Sequence, residues 1–276
     1  MSDLSVSLPV SFPGIRPRDG RLRLSLSGRV GRFLLGVGGL GILLAVWWLF
    51  TGPLAAEGSF SRRFAPGLAL TSLIEMGWHG DLLTHVWLSL KRVLVGLVVA
   101  LAVGVPLGLA VGSLRVVEAA TSPVFQFLRM ISPLSWMPVA VMVLGVGDAP
   151  IYFLLSFAAV WPILLSTADG VKQLDRRWLL LAQSLAATRW ETLTRIVLPG
   201  VLAPVLTGVR LAIGVLWIVL VPAEMLGVAG GLGYLVLDTR DRMAYGELTA
   251  VVLVIGLLGF LLDAIARFLY RMRTHG

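Results

Sequence analysis

Long apolar runs separated by short polar segments dominate the chain. A helix that crosses a membrane needs about 20 apolar residues. Six runs approach or exceed that length: 33–51, 88–112, 120–144, 150–168, 201–226 and 248–270. Because open sheet edges cannot be satisfied in lipid, the runs predict a bundle of helices. The expected fold class is therefore an all-α membrane protein with about six transmembrane helices.

One polar and basic segment, residues 170–199, separates the fourth run from the fifth and has a helical pattern of its own. Its first half places apolar residues on one helical face, at the positions Trp178, Leu181, Ala182 and Leu185. A second helix is predicted to begin at Thr188, because Thr188 and Glu191 have the spacing of a capping box. Two ordered helices are more than a simple linker needs, so the segment is expected to contact a partner protein.

The second helix of this segment continues through apolar residues at Trp190, Leu193 and Val197. It is expected to end before Pro199, because the residue that precedes a proline disfavours the α-helical conformation.

Positive charge is distributed among the loops, which sets the expected orientation in the membrane. With the N-terminus in the cytoplasm, fifteen Lys and Arg residues fall inside and six outside; the six are Arg62, Arg63, Lys91, Arg92, Arg240 and Arg242. This excess favours an N-in, C-in topology with segment 170–199 in the cytoplasm. The net charge of +8 is thus a topology signal, and its scatter over several loops argues against nucleic-acid binding.

The composition narrows the function further. Apolar residues make up 57% of the 276 and charged residues 14%, and the chain has no cysteine, which excludes disulfides and thiolate metal sites. No phosphate-binding G-x-x-x-x-G-K-[ST] motif occurs, and the three histidines lack metal-ligand spacing. Enzymatic chemistry by this chain is not expected.

Four regions are expected along the chain. Residues 1–32 form a basic cytoplasmic segment, 33–81 the first transmembrane helix with an external segment, 82–270 the main transmembrane domain, and 271–276 a cytoplasmic tail. The first apolar run is too long for a signal-peptide core and is expected to be retained. Within the external segment, 68–77 is expected to form a short interfacial helix.

Small residues and prolines mark the apolar runs. A ridge of small residues recurs at every fourth position of the second run: Gly96, Ala100, Gly104, Gly108 and Gly112. Such a ridge lets another helix approach closely, either within one subunit or at a seam between subunits. Prolines are expected to kink or interrupt four runs, at Pro106, Pro133, Pro138, Pro162 and Pro222. Broken helices at membrane depth favour a transporter over a structural anchor.

Segment 170–199 resembles the EAA loop of binding-protein-dependent ABC transporter permeases. In that pattern Glu-Ala-Ala precedes a Gly, and Ile-x-Leu-Pro follows. The matching residues are Ala182, Ile196, Leu198 and Pro199. Leu180 stands at the glutamate position and Ala186 at the glycine position. An Ala in a turn of positive φ costs about 1 kcal/mol. Either the turn is less sharp here, or Ala186 stays helical and the break falls at Thr188.

The resemblance extends over about residues 82–270 and is to the nitrate, sulfonate, taurine and bicarbonate branch of these permeases. It rests on the order and spacing of several stretches. They are His85 with Ser89–Arg92; Leu128, Arg129 and 132–138; Trp161–Ile163; Val221–Leu226; Gly231–Tyr234; and 256–263. The forms Ser-Pro-Leu-Ser-Trp, Trp-Pro-Ile and Val-Pro-Ala-Glu-Met-Leu are most similar to nitrate-type permeases.

The resemblance implies the fold of a type I ABC importer permease in a bacterial inner membrane, with segment 170–199 as a coupling-helix loop. The implied partners are cytoplasmic ABC ATPase subunits, an extracytoplasmic substrate-binding protein, and a second permease subunit, the simpler choice being an identical one. This chain would bind no cofactor; ATP and Mg would bind to the ATPase. The residues expected to couple to the ATPase are Trp178, Ala182, Leu185, Ala186, Trp190, Leu193, Ile196, Leu198 and Pro199.

Ionisable and polar residues within the runs are candidates for the substrate pathway. Arg129 would attract an anion, or extend to the cytoplasmic headgroups instead; Arg210 has the same two interpretations. Glu224 is expected to pair with an arginine or to cap a broken helix, whereas Asp148 is expected to be solvated and Asp169 to be cytoplasmic. The remaining pathway candidates are Ser132, Ser135, Ser166, Trp136 and Trp161.

The favoured function is an ABC importer permease for a small anion, with nitrate first and sulfonate, taurine or bicarbonate as alternatives. An ion-coupled secondary transporter is the alternative of another class; it needs a buried carboxylate relay, and only Glu224 offers one. A membrane scaffold without transport activity is disfavoured by the proline-containing runs.

Overall fold

The computed structural model describes residues 29–56, 58–80 and 82–274, and every regular element in these ranges is helical. The α-helices are α1 (Arg29–Thr51), α2 (Pro66–His79), α3 (Leu82–Ser113), α4 (Arg115–Met130), α5 (Met137–Leu144), α6 (Asp148–Lys172), α7 (Arg176–Ser184), α8 (Arg189–Thr192), α9 (Leu198–Gly227), α10 (Leu232–Asp241) and α11 (Tyr245–Thr274). Two 3₁₀ turns, Phe60–Phe64 and Pro133–Trp136, and a π-helical turn, Leu193–Val197, lie between them.

The chain divides into two units, Met1–Trp47 and Trp48–Gly276, and each is considered by itself. The first contains most of α1, which begins near the predicted first run and has an apolar part, Leu35–Thr51. Most of the predicted basic segment 1–32 lies outside the described residues, as do residues 275 and 276 of the predicted tail. The second unit contains α2 to α11, and its α2 includes the short helix predicted over 68–77.

Among the described residues of the second unit, four helical stretches are long and apolar enough to cross a membrane: Leu82–Ser113, Asp148–Lys172, Arg189–Gly227 and Tyr245–Phe268. They correspond to four of the six predicted runs. The first of them begins six residues earlier than predicted, because polar residues are included in its opening turns. Lys91 and Arg92, which the sequence assigns to an external segment, therefore lie within α3.

The third run, 120–144, is not one helix. Its residues form α4 and α5, which are bent by 86° at a break, so that the pair counts as a span only if both parts are taken together. Pro133 explains the break, because it disfavours the α-helical conformation for Ser132, which has ψ 128°. Pro138 causes no second break, since it lies in the first turn of α5, where an amide hydrogen has no helical acceptor.

The other prolines lie inside continuous helices. Pro106 lies in α3, Pro162 in α6 and Pro222 in α9. The expected interruption of the fourth and fifth runs at Pro162 and Pro222 is thus wrong. Packing against neighbouring helices lets a membrane helix continue through a proline.

The ridge of small residues in α3 packs against α6 of the same chain. A Cβ atom added at Gly108 would lie 2.6 Å from Leu164 O and 2.6 Å from Thr167 Cβ. One at Gly104 would lie 3.1 Å from Val160 O. The ridge is therefore an intrasubunit contact, and its interpretation as a seam between subunits is wrong. The resulting close packing of α3, α6 and α9 forms the core of the second unit.

Candidate functional sites

The loop between α6 and α9 contains two capped helices. Asp175 caps α7, with its Oδ1 accepting a hydrogen bond from Arg177 N at 2.9 Å. The predicted capping box of α8 is confirmed. Glu191 N donates to Thr188 Oγ1 at 3.2 Å, and Thr188 N donates to Glu191 Oε2 at 2.9 Å. Both helices therefore begin at positions fixed by their own side chains.

The turn between α7 and α8 is sharp and contains a strained alanine. Ala186 has φ 52°, in the left-handed region that favours glycine. Ala187 N donates to Ala182 O at 2.9 Å and Ala186 N to Gln183 O at 3.0 Å, which are the two bonds of a Schellman motif. Of the two alternatives for this turn, the chain adopts the sharp turn, with a strain of about 1 kcal/mol at Ala186.

The loop exposes large apolar side chains. The exposed fractions of Trp178, Leu185 and Trp190 are 58%, 72% and 71%, whereas Ala182, on the same helical face in the sequence pattern, is buried. Ala186, Leu198 and Pro199 are also exposed, and Leu193 and Ile196 are half-buried. Four arginines of the same loop are also exposed: Arg176, Arg177, Arg189 and Arg195. The loop thus presents large apolar side chains together with basic ones, and we call these exposed residues the loop surface.

The helix that begins at Arg189 does not end before Pro199, contrary to the sequence prediction. Val197 and Leu198 keep α-helical dihedral angles, and the chain continues through the π-helical turn Leu193–Val197 into α9. Pro199 is the second residue of α9 and follows the π-helical turn directly. The loop surface is therefore joined to the spanning helix without a break, in one helical stretch from Arg189 to Gly227.

A cavity of about 410 Å³ is lined by residues of α4, α6 and α9 and of the break after α4. Its polar lining consists of Arg129, Trp161, Ser166 and Asp169, and its apolar lining includes Ile131, Pro133 and Leu211. A second cavity of about 200 Å³ shares Arg129, Trp161 and Asp169. Of the pathway candidates, the structure brings Arg129, Trp161 and Ser166 together, and we call the larger cavity the Arg129 cavity.

Several polar groups of this cavity have no partner among the residues that the structure describes. Within the described residues, the side chains of Arg129 and Asp169 make no hydrogen bond or ion pair. The indole Nε1 of Trp161 is buried and likewise lacks an acceptor among those residues. These groups are available to a ligand: one cation, one anion and one neutral donor.

A series of tilted and edge-to-face aromatic contacts connects Trp161 with Trp136. Phe157 lies between them, with its ring centroid 5.5 Å from that of Trp161 and 6.1 Å from that of Trp136. Trp136 Nε1 is a second buried donor without an acceptor among the described residues. Trp136, Ser132 and Ser135 belong to the break between α4 and α5, but none of them lines the Arg129 cavity.

Glu224 lies in a different place, in a buried polar cluster that joins α3, α9 and α10. Its side chain has an exposed fraction of 0% and lies 2.7 Å from Arg92 Nη1. Ser89 Oγ donates to both carboxylate oxygens at 2.8 Å, and Gly233 N donates to Oε2 at 2.9 Å. Both expected roles of Glu224, pairing with an arginine and capping a helix, occur in this cluster.

Arg92 also connects this cluster to α6, through an ion pair with Asp148. Its Nη2 donates to Asp148 Oδ1 at 2.7 Å and its Nε donates to the same oxygen at 2.9 Å. Asp148 is thus not simply solvated, as the sequence suggests; it is 35% exposed and paired. Arg210, which the sequence places in the fifth run, lies 3.2 Å from Asp263 of α11, measured from Nε to Oδ1.

The backbone at the start of α10 requires glycine to approach the cluster. Gly231 has φ 112°, and a Cβ atom there would lie 2.5 Å from Arg92 Nη1 and Glu224 Cδ. Leu232 N donates to Ser89 Oγ at 2.8 Å and Gly231 N to His85 Nδ1 at 3.0 Å. Three stretches that are distant in the sequence, around His85, Glu224 and Gly231, therefore meet at one point.

Sequence reasoning missed two contributors to these sites. Asp169 is placed in the Arg129 cavity by the spacing of Trp161, Leu165 and Asp169, which puts all three on one face of α6. Arg92 is missed because it was counted among external charges. Ser89 lies three residues before Arg92, about one helical turn, and this spacing could have indicated that the two side chains share one face of α3.

Comparisons with known proteins agree on one family. Residues 104–273 match the family described as "Binding-protein-dependent transport system inner membrane component". The bicarbonate transport system permease protein CmpB of Synechococcus elongatus is 32% identical over 249 residues, covering 86% of this chain and 88% of the relative. The taurine transport system permease protein TauC of Escherichia coli (strain K12) is 32% identical over 251 residues, with coverages of 88% and 90%.

A third relative is the nitrate import permease protein NrtB of Synechocystis, 29% identical over 270 residues, with coverages of 94% and 95%. Among solved structures, a chain of the inward-facing methionine ABC transporter MetNI superposes with a TM-score of 0.59 at 17% identity. The superposition covers 70% of this chain and 95% of that chain, and it shows a shared helical fold.

Proposed function

The chain belongs to the family of binding-protein-dependent transport system inner membrane components, and on this basis we propose that it is the transmembrane permease subunit of an ATP-driven importer for a small anion, with nitrate as the first candidate. The chain is a multi-pass membrane protein with the helical fold of a type I importer permease. Its relatives are transport permeases, so its role is transport and not enzymatic chemistry.

The observation that carries the proposal is the loop surface. Short helices such as α7 and α8 are marginal in water on their own, and a pair that exposes two tryptophans needs a covering partner. Tryptophans and arginines are the residues that most often dominate binding energy at interfaces. The partner is a cytoplasmic ABC ATPase subunit, which binds ATP and Mg and contacts the coupling residues from Trp178 to Pro199.

The continuous helix from Arg189 to Gly227 gives the ATPase a mechanical path into the membrane. Closure of the ATPase dimer on ATP displaces α8, and α9 transmits this displacement to α6, against which it packs. An extracytoplasmic binding protein delivers the substrate, and a second, identical permease subunit completes the pathway.

The Arg129 cavity supports a substrate with an oxyanion group. The Arg129 guanidinium supplies charge-assisted donors, and Trp161 Nε1 and Ser166 Oγ supply neutral donors on the same cavity. Nitrate is planar and has three acceptor oxygens, which suits these groups. Ser132, Ser135 and Trp136 are assigned to the same pathway, next to the break after α4, whereas Glu224 is assigned to holding α10.

Asp169 favours a second candidate substrate. Because Asp169 and Arg129 carry opposite charges on one cavity and do not pair with each other, a ligand with both an anionic and a cationic end would satisfy both. A small aminosulfonate such as taurine has these two ends, and the relative TauC is a taurine permease. Bicarbonate, the substrate named for CmpB, remains a third candidate.

The Glu224 cluster gives no support to an ion-coupled secondary transporter. A coupling site needs a carboxylate that is free to bind the ion, but both oxygens of the buried Glu224 carboxylate already accept hydrogen bonds, from Arg92, Ser89 and Gly233.

The remaining assignments follow from the charge pattern. We place the chain in a bacterial inner membrane with both termini and the loop surface in the cytoplasm. Residues 82–270 form the permease domain, residues 1–32 and 271–276 are cytoplasmic, and the first transmembrane helix and external segment lie between 33 and 81.

A pull-down of the tagged chain from detergent-solubilised native membranes, followed by mass spectrometry, tests the proposal. Recovery of a P-loop ATPase in stoichiometric amount supports it, and recovery of the chain alone, in conditions that preserve other membrane complexes, contradicts it. The purified complex is then reconstituted in vesicles with its binding protein. ATP-dependent uptake of ¹⁵N-nitrate that unlabelled taurine does not reduce favours nitrate, and the converse favours the aminosulfonate.

A further inference from the structure

A single turn of π-helix separates α8 from α9. Leu198 N donates to Leu193 O, five residues earlier, whereas an α-helix would direct the same amide to Thr194 O. The dihedral angles on both sides are α-helical, with Thr192 at φ −60°, ψ −45° and Leu198 at φ −58°, ψ −47°. The turn therefore holds one more residue than an α-helix would, within an otherwise continuous helix.

Pro199 accounts for the position of this turn. In an α-helix its amide would donate to Arg195 O, but proline has no amide hydrogen and its ring collides with that carbonyl. A wider turn immediately before the proline moves the carbonyl away from the ring. Turns of this kind are uncommon and occur mostly as single insertions into α-helices.

The extra residue sets the rotation of α8 about the helix axis. In an α-helix one residue corresponds to a rotation of about 100° and a rise of about 1.5 Å. If Leu193–Val197 were α-helical, α8 would turn by that angle relative to α9 and move outward along the axis. Trp190, which is 71% exposed, would then point in a different direction.

The α9 side of the turn is fixed and α8 keeps its helical form, so a change in the π-helical turn must appear as a rotation of α8. On one side, Val201 is buried, and a Cβ atom added at Gly208 would lie 2.9 Å from Pro162 O, so α9 cannot rotate against α6. On the other side, the capping box fixes Thr188 and Glu191 to each other and keeps α8 helical. The short α8 is therefore the part that is free to turn.

We propose that Pro199 is a positioning residue, which acts through the π-helical turn to set the direction in which α8 presents Trp190 to the ATPase. The inference rests on the proposed function for the identity of the partner, but the rotation itself is a property of this chain alone. In this proposal, the effect of Pro199 on ATPase binding passes through the turn.

Three variants test the proposal. Pro199→Ala restores the amide and allows an α-helical turn with the same number of residues, so α8 rotates. Pro199→Ala with deletion of Thr194 gives an α-helical turn without the extra residue, which returns α8 to its original direction. Pro204→Ala is the matched control, because it removes a proline from the same helix where no π-helical turn precedes it.

The rotation is measured in the permease alone. The chain has no cysteine, so nitroxides at Arg189→Cys on α8 and Thr207→Cys on α9 give one distance by electron resonance. We expect Pro199→Ala to shift this distance, and the deletion to restore it. In the unlabelled variants, we expect Pro199→Ala to weaken ATPase binding by about tenfold or more, as loss of an aromatic anchor does. The deletion should restore binding and ATP-dependent uptake, and Pro204→Ala should leave both unchanged.

Unchanged distance and ATPase affinity in Pro199→Ala would overturn the proposal. Loss of binding without rescue by the deletion would also overturn it, because a merely structural role for the proline predicts that two changes are worse than one. Failure of the wild-type chain to capture any ATPase counts against the proposed function instead, and in that case the nitroxide distances still decide whether Pro199 sets the rotation.

Discussion

The Glu224 carboxylate and the Arg92 guanidinium form a buried ion pair, with 2.7 Å between Oε1 and Nη1, although 132 positions separate them in the chain. Their side chains are 0% and 4% exposed. Because a buried charge that loses its partner is costly, neither residue is expected to tolerate replacement while the other remains.

Replacement of Arg92 by leucine should therefore lower the free energy of unfolding by about 3–5 kcal/mol, since Glu224 stays buried without its partner. Denaturation in detergent micelles measures the loss. Arg240→Leu is the control, because its ion pair with Asp241 is exposed, and it should change stability by less than about 1 kcal/mol. The double variant Arg92→Leu with Glu224→Leu should lose less than the sum of the two single variants; a strictly additive loss would show that the pair is not coupled.

Ala186→Gly should stabilise the turn between α7 and α8. Glycine adopts the observed φ of 52° without strain, so a gain of up to about 1 kcal/mol in the free energy of unfolding is expected. A more ordered turn should also strengthen ATPase binding, which titration of the permease with the ATPase would measure. Ala187→Gly is the matched control, because Ala187 has no positive φ, and it should not stabilise. Equal effects of the two changes would contradict the strain at Ala186.

Gly108→Ala should push α3 away from α6. The added Cβ would lie 2.6 Å from Leu164 O, which belongs to the backbone and cannot move aside alone, so a loss of about 1–3 kcal/mol is expected. Gly214→Ala provides the comparison, because a Cβ atom at Gly214 meets nothing within 4 Å. It should be neutral or stabilising, as alanine favours helix more than glycine does. Thermal unfolding of both variants would decide, and a Gly108→Ala protein as stable as wild type would refute the close contact.

Arg129→Ala should reduce uptake of the anion by about tenfold or more, because a hydrogen bond to a charged group contributes about 1.5–3 kcal/mol. Expression and ATPase binding should stay normal, since Arg129 makes no ion pair or hydrogen bond among the described residues. Uptake by reconstituted vesicles is the measurement. Arg115→Ala, at the other end of α4 and outside the cavity lining, is the control. Normal uptake by Arg129→Ala would mean that this side chain only reaches the headgroups.

Trp190→Ala should weaken capture of the ATPase by about tenfold or more without lowering stability, because the side chain is largely exposed and its loss leaves no cavity. Trp78→Ala is a matched control: Trp78 is 81% exposed on α2, which lies in the predicted external segment. Affinity is measured by titration of the purified permease with the ATPase. If both tryptophans could be removed without effect on affinity, α8 would not be part of the contact.

Local features of the fold were predictable from the sequence. The capping box at Thr188 and Glu191 involves residues three positions apart, and the long apolar runs define their own helices. The sequence shows a proline at position 133, and a break there was predictable. The sequence does not show that Pro133 bends the chain by 86° whereas Pro162 and Pro222 leave their helices intact, because this difference depends on the packing around each proline.

Contacts between distant residues were not predictable in the same way. The sequence shows that Glu224 needs a partner, but only packing of α3 against α6 and α9 brings Arg92 to it and Asp148 to Arg92. For Ala186 the sequence allowed two conformations, a sharp turn and a continued helix. The hydrogen bonds of the Schellman motif show that the chain adopts the sharp turn. The sequence prediction ended the helix before Pro199 because the residue before a proline disfavours the α-helical conformation. In the structure the helix continues, and the wider π-helical turn before Pro199 relieves the clash between its ring and the carbonyl of Arg195.

The break after α4 has a consequence for the Arg129 cavity. Ile131 and Pro133 are non-helical or at the start of a turn, and both line that cavity. Irregular backbone at membrane depth is tolerated only where protein covers it or water reaches it. Water that enters the cavity would hydrate these peptide groups, and it would also raise the local dielectric constant around Arg129 and so lower the cost of keeping its charge there. We therefore expect a bulky apolar side chain at Leu211, which would fill the cavity, to remove water from both the interrupted helix and Arg129.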